Sequence, residues 1–88
     1  MPNEKELRVW WIPQVPMKAF YVPVDSISMA KKLLDVLAQY DLFQYYNQVK
    51  PDYSNAGGLQ IFEEGEWGDW YNEDGCGIDE VDDNGITL

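Results

Sequence analysis

Two stretches near the start of the chain are rich in β-branched and aromatic residues, and prolines separate them. Leu7 to Ile12 and Met17 to Val24 have the composition of strands. Pro13 and Pro16 lie between the two stretches and would interrupt a continuous strand. The pattern therefore predicts a β-hairpin in which Ile12 lies opposite Met17.

This register sorts the side chains of the hairpin into two faces, and both are apolar. One face would carry Leu7, Val9, Phe20 and Val22. The other would carry Trp10, Ile12, Met17, Ala19 and Tyr21, together with Arg8. An antiparallel sheet in contact with water usually has only one apolar face. We therefore expect a second layer or a binding partner to cover the face that does not pack on the core.

A helix is predicted from about Ser26 to Tyr40. Asp25 or Ser26 is a suitable N-cap, and apolar side chains then recur at the three-and-four spacing of a buried helical stripe. The predicted stripe consists of Ala30, Leu33, Leu34, Leu37 and Tyr40. The predicted solvated side consists of Lys31, Lys32, Asp35 and Gln39.

The second half of the chain predicts another hairpin. Leu42 to Val49 is too short for its period to distinguish a strand from a helix, and its residue types favour a strand. Residues 50–58 contain Pro, Asn and Gly and predict a loop. Strands 59–63 and 66–70 then flank a two-residue turn, Glu64 and Gly65. Its register would place Phe62 opposite Trp67 and Leu59 opposite Trp70.

Together these elements predict an α+β fold: a small antiparallel sheet of two hairpins packed on one amphipathic helix, in ββαββ order, with 42–49 as an optional extra strand. Residues 1–72 would form the compact domain. Residues 73–88 are acidic, and Ile78, Val81 and Ile86 are too widely spaced to form a face. The sequence predicts a mobile tail there.

The charge is distributed unevenly along the chain. Residues 1–62 hold six acids and six bases, whereas residues 63–88 hold ten acids and no base, which accounts for the whole net charge of -10. This end of the chain should repel nucleic acid and anionic membranes and attract a basic partner. No apolar run is long enough to span a bilayer, so we expect a cytoplasmic protein.

Enzyme chemistry has few candidates in this sequence. The chain has no histidine, which excludes His-dependent triads and His-containing zinc sites. The acidic pairs lie at a predicted hairpin tip or in the predicted tail, where the burial that raises the pKa of a general acid is absent. We therefore expect no catalytic residue, no metal site and no cofactor.

Aromatic residues instead suggest a binding surface. A chain of 88 residues cannot bury all thirteen of its aromatic side chains, and exposed Trp and Tyr are favoured anchors of protein interfaces. The candidate partner-binding residues are Trp10, Glu63, Glu64, Glu66, Trp67, Asp69, Trp70 and Tyr71. A possible ligand loop contains Lys50, Asp52, Tyr53 and Asn55.

Three blocks combine Trp, Pro and Gly in a distinctive order: LRVWWIPQVP at 7–16, KPDYSNAGGL at 50–59 and EGEWGDWY at 64–71. They resemble a widespread family of small tailed-phage proteins labelled superinfection exclusion. The resemblance covers about Leu7 to Asp74 and leaves the acidic tail outside. It implies a phage accessory protein that is made inside a bacterium and acts on host or rival-phage machinery. It supplies no catalytic residues.

Three functions fit these observations. The first is a phage-encoded inhibitor that docks its acidic, aromatic surface onto a basic bacterial protein, for example one that handles nucleic acid, in the manner of a DNA mimic. The second is a sponge that sequesters a nucleotide immune signal at an oligomer interface, and the third is a virion component. A homodimer that shares the aromatic face is compatible with the first two.

Overall fold

The computed structural model describes residues 2–13, 17–47 and 55–88. Their elements follow the order strand, strand, helix, strand, strand. The bounds are β1 Leu7–Ile12, β2 Phe20–Val24, α1 Ile27–Tyr46, β3 Ala56–Glu63, β4 Glu66–Asp69 and a short 3₁₀ helix at Ile78–Glu80. All pairs in the sheet are antiparallel and the strand order is β2-β1-β3-β4. The predicted α+β class and ββαββ order are confirmed.

The first hairpin has the predicted faces but a different register. Val9 pairs with Val22, and Trp11 pairs with Phe20 as the last pair before the loop. The predicted pairing of Ile12 with Met17 was therefore wrong by two residues. Lys18 and Ala19 favour strands poorly, so pairing begins only at Phe20. Because side chains alternate with a period of two, a shift by two residues keeps every side chain on its predicted face.

The second hairpin has the predicted register. Glu63 pairs with Glu66 and Phe62 with Trp67, and the Trp70 N–H donates to the Leu59 carbonyl at 3.0 Å. Both turn residues have positive φ, 54° at Glu64 and 85° at Gly65. A two-residue turn with this geometry matches the right-handed twist of the flanking strands, which fixes the register.

The helix begins where predicted and ends later. The Ser26 hydroxyl accepts the Met29 N–H at 3.1 Å and caps the N-terminus. At the other end the chain remains helical to Tyr46, so the predicted strand at Leu42–Val49 was wrong for residues 42–46; residues 48 and 49 lie outside the described residues. The sequence contains no Gly or Pro between 27 and 46 that would end the helix earlier.

The buried side of the helix also differs at one position. Ala30 is buried, and Leu33 and Leu34 pack against the core, as predicted. Tyr40, however, is 57% exposed. Its neighbour Asp41 is buried instead, and its carboxylate accepts the Asn55 side-chain N–H at 3.1 Å. A buried carboxylate requires such partners, and Asn55 comes from the distant start of β3.

The core lies between the sheet and the helix and includes residues from the acidic C-terminal segment. Its buried members are Val9, Val24, Ala30, Leu59, Ile78 and Val81. Ile78, Val81 and Ile86 were expected to be too widely spaced to form a face. Ile78 and Val81 nevertheless enter the core singly, whereas Ile86 is 63% exposed. The division of the chain into a compact domain at residues 1–72 and a mobile tail at residues 73–88 stays a prediction.

Two glycines on β3 receive the two neighbouring tryptophans of β1. Gly58 pairs with Trp10 and Gly57 with Trp11. A Cβ on Gly58 would lie 2.6 Å from Trp10 Nε1, and one on Gly57 would overlap the Trp11 ring. The predicted loop at 50–58 is thus a strand from Ala56 onward, and these glycines serve close packing on both faces of the sheet.

The substitution Gly58→Ala is expected to lower the free energy of unfolding by about 1–3 kcal/mol, the usual range for overpacking. Gly68→Ala on β4 is the matched control, because a Cβ there meets nothing within 4 Å. The control should change stability by less than about 0.5 kcal/mol. Urea unfolding followed by tryptophan fluorescence measures both. Equal stability of the two variants would contradict the contact between Trp10 and Gly58.

Candidate functional site

The sheet has one face against α1 and a second face that points away from it, which we call the open face. Val9 and Leu59 are buried on the helix side, so their even-numbered neighbours on β1 and β3 lie on the open face. The register extends this face across all four strands. Its members are Arg8, Trp10, Ile12, Tyr21, Pro23, Ala56, Gly58, Gln60, Phe62, Trp67 and Asp69.

Arg8 lies at the centre of the open face, stacked between two aromatic rings. Its Cζ is 3.9 Å from the centroid of the Tyr21 ring and 4.0 Å from that of Trp67. Its Nε donates to Gln60 Oε1 at 2.8 Å, and the Trp67 ring meets Phe62 edge-on at 5.4 Å between centroids. Each cation–π contact stabilises by about 0.5–2 kcal/mol. Side chains from all four strands are thereby held in one fixed arrangement.

The structure divides five of the eight predicted partner-binding residues between the two faces of the sheet. Trp10, Trp67 and Asp69 share the open face, and the exposed Tyr71 lies two residues beyond the end of β4. Glu63 and Glu66, which flank the turn, pair with each other on the opposite face. The alternation of side chains along a strand assigns these residues to the two faces only when the pairing between the strands is also known.

The remaining predicted partner-binding residues lie at the hairpin tip and against the core. Glu64 occupies the tip, where its backbone N–H donates to Glu4 Oε1 at 3.1 Å. Glu63 forms an ion pair with Lys5, which raises the pKa of Lys5 through that hydrogen bond and the attraction between the charges. Trp70 packs against the core.

The predicted ligand loop is described in part. Lys50, Asp52 and Tyr53 lie outside the described residues. Asn55 donates its side-chain N–H to the buried Asp41. Its visible role is therefore to attach the start of β3 to the helix.

The acidic C-terminal segment contains two hydrogen-bonded loops that the sequence reasoning missed. The Asn72 side chain accepts the N–H groups of Asp74 and Cys76, each at 2.9 Å, and donates to the Gly85 carbonyl and the Thr87 hydroxyl. Asp82 closes the second loop. Asn and Asp side chains commonly accept backbone N–H groups two to four residues ahead. The positions of Asn72 before Gly75 and of Asp82 before Gly85 were therefore the sequence signal for these two loops.

The carboxylate of Asp82 accepts the N–H groups of Asn84 at 2.9 Å and Ile86 at 3.0 Å. These bonds lower the pKa of Asp82 below its ordinary value of 3.8. A carboxylate whose pKa is lower in the folded chain than in the unfolded chain stabilises the fold at pH values above its ordinary pKa. This stabilisation is lost as the pH falls through the pKa of the folded state.

We expect Asp82→Ala to unfold at lower urea than the wild type at neutral pH, with a difference that closes below pH 3.8. The exposed neighbour Asp83, replaced in the same way, is the control and should leave the midpoint unchanged. Urea midpoints across a pH series measure both variants. A difference of the same size in strong acid would contradict the role of the ionised carboxylate.

A groove of about 650 Å³ lies between the helix and the C-terminal segment. Trp11, Leu34 and Ile78 form its apolar part. Its charged lining consists of Lys31, Lys32, Asp35, Asp79 and Asp83. Two bases against three acids leave this groove net negative. Within the described ranges, no three His, Cys, Asp or Glu residues are placed to hold a metal ion.

Comparison with known proteins identifies the family. The family model described as superinfection exclusion gene product 17 matches residues 6–85. A superinfection exclusion protein of Salmonella phage P22 is 49% identical over 84 residues, which covers 81% of this chain and 82% of that relative. No solved structure matches the chain.

The family match also corrects the extent of the resemblance read from the sequence. That resemblance ended near Asp74, whereas the family match continues to residue 85 and includes the core residues Ile78 and Val81. The acidic segment is thus part of the family's shared sequence. The chain belongs to the superinfection exclusion gene product 17 family of phage proteins.

Proposed function

We propose that this chain is a non-enzymatic phage protein that acts in superinfection exclusion or counter-defence by docking the open face and its acidic edge onto a basic surface of a bacterial protein. The observation that carries the proposal is the aromatic surface around Arg8. Tyr21 and Tyr71 are at least half exposed there, and rigid, partly exposed aromatic and Arg side chains are favoured interface anchors.

The charge distribution supports a basic partner. Asp69 lies on the open face and Glu64 at the tip of the adjoining hairpin, and the chain carries a net charge of -10. Acids at the rim of an apolar patch accelerate association with a positive surface and select against other partners. A bacterial protein that binds nucleic acid offers such a surface, on which this chain would act as a DNA mimic.

The cellular location follows from this proposed partner. No helix in the described part of the chain is long and apolar enough to cross a membrane. We place the protein in the host cytoplasm, where bacterial nucleic-acid-handling proteins are found.

The absence of catalysis is part of the proposal. The chain has no histidine, and the buried carboxylate Asp41 is hydrogen-bonded to Asn55. A nucleotide sponge is the weaker alternative, because phosphates require a cationic pocket and the groove between the helix and the C-terminal segment is net negative. Calorimetry with cyclic nucleotides tests that alternative directly.

A charge-matched pair of variants tests the docking proposal. Variant one carries Glu64→Gln at the hairpin tip and Asp69→Asn on the open face. Variant two carries Asp25→Asn and Asp83→Asn, two exposed residues elsewhere. The two variants have the same net charge as each other, and both are less negative than the wild type. Tagged proteins are used to capture partners from bacterial lysate, and cells producing each variant are challenged with phage.

The proposal predicts that variant one loses both partner capture and exclusion, and that raised salt weakens capture by the wild type. Variant two should retain both activities. Equal loss in the two variants would show that net charge matters and the open face does not. A partner captured equally at low and high salt would contradict electrostatic docking.

A further inference from the structure

A cleft lies where the sheet narrows beyond the end of β4. β4 ends at Asp69, whereas β3 continues to Gly58 and Gly57. Residues 77–79 of the C-terminal segment lie beside these glycines and close the cleft, which has a volume of about 250 Å³. We call it the Trp10 cleft.

The walls of the Trp10 cleft are aromatic. Trp10, Trp70 and Tyr71 line it, and Trp10 is held in place because its indole nitrogen rests against Gly58. Tyr71 is 59% exposed, so its ring is accessible from solvent. Ring faces attract cations through their quadrupoles.

The charged groups at the cleft are both acids. Asp69 and Asp79 contribute its carboxylates, and its described lining contains no base. Both side chains are exposed. Aromatic faces and carboxylates together favour a cationic occupant and disfavour phosphate or carboxylate ligands.

We propose that the Trp10 cleft receives an arginine side chain of the basic partner. Arginine is preferred to lysine because its planar guanidinium stacks on rings and bonds carboxylates at the same time. The chain already shows the same chemistry at Arg8, which lies between Tyr21 and Trp67. This inference rests on the proposed function and names the group that anchors the partner.

The test uses the full chain and small probes. N-acetyl-arginine amide is titrated into ¹⁵N-labelled protein while the Trp10 indole N–H and the Gly58 amide are followed by NMR. N-acetyl-citrulline amide, which has nearly the same shape and no charge, is the control. We expect saturable shifts at both signals with the arginine probe, in the millimolar range usual for so small a ligand, and none with citrulline.

The double variant Asp69→Asn, Asp79→Asn should bind the arginine probe with a dissociation constant at least about tenfold higher. The amide signals of this variant outside the cleft should match those of the wild type. Asp83→Asn, outside the cleft, should bind as the wild type does. Equal shifts with citrulline, saturable shifts away from the cleft, or no saturable shift would overturn the inference. The titration contains no partner protein, so it tests the cleft independently of the proposed function. A negative titration would overturn the arginine cleft without affecting capture of a partner from lysate, and failed capture would overturn the docking proposal without affecting the titration.

Discussion

Truncation after Asp74 is expected to unfold the protein or to remove a large share of its stability. The deletion removes Ile78 and Val81 from the core, and full burial of such side chains contributes about 1.5–3 kcal/mol each. It also removes the Val81 carbonyl that accepts the Lys31 ammonium. A chain of this length has a total stability of roughly 4–13 kcal/mol, at about 0.05–0.15 kcal/mol per residue.

Urea unfolding and circular dichroism of the truncated chain measure this effect. Val81→Ala tests the same packing with a single change and should cost roughly 1–3 kcal/mol. Ile86→Ala is the matched control, because Ile86 is 63% exposed and its truncation should cost less than about 0.5 kcal/mol. A truncated chain as stable as the wild type would show that residues 75–88 are a dispensable tail.

The second large effect is expected from Tyr71→Ala. Tyr71 lies at the edge of the open face and lines the Trp10 cleft. If it anchors the partner, its loss should cost at least about 2 kcal/mol of binding free energy, which is roughly thirtyfold in the dissociation constant. Because Tyr71 is largely exposed, the fold itself should be little affected.

Tyr46→Ala provides the control for this prediction. Tyr46 is 72% exposed and lies at the end of α1, away from the open face. The readout is the plating efficiency of superinfecting phage on cells that produce each variant. Tyr71→Ala should relieve exclusion and Tyr46→Ala should leave it intact. If Tyr46→Ala relieved exclusion and Tyr71→Ala did not, the docking surface would lie on the helix instead.

The sequence predicted the sheet well because its signals are local. Strand composition and alternation identified both hairpins, and the turn at Glu64 and Gly65 determined the second register. The first register was wrong by two residues, since the sequence between Ile12 and Phe20 offers no two-residue turn that would fix the pairing. The faces were nevertheless right, because a shift of two preserves alternation.

The parts that sequence reasoning missed depend on contacts between distant residues. Asp41 is buried because Asn55 reaches it, and nothing near Asp41 in the sequence indicates that contact. Ile78 and Val81 enter the core singly, each surrounded by polar residues, so no periodic pattern marks them. Each lies on the C-terminal segment that composition alone assigned to a mobile tail.

The candidate site shows the same limit. Aromatic content selected Trp10 and Trp67, which share the open face, yet the sequence grouped them with Glu63 and Glu66, which lie on the other face. Arg8 was placed on the correct face without its stacking partners. Its position between Tyr21 and Trp67 requires side chains from three strands, so only the folded sheet reveals it.

Site-specific photo-crosslinking in infected cells tests whether the open face contacts a bacterial protein. A benzophenone amino acid replaces Tyr21 or Tyr71 on the open face, or Tyr46 on the helix as the control. We expect crosslinks to a bacterial protein from positions 21 and 71 and none from position 46. Crosslinks from position 46 alone would contradict docking through the open face.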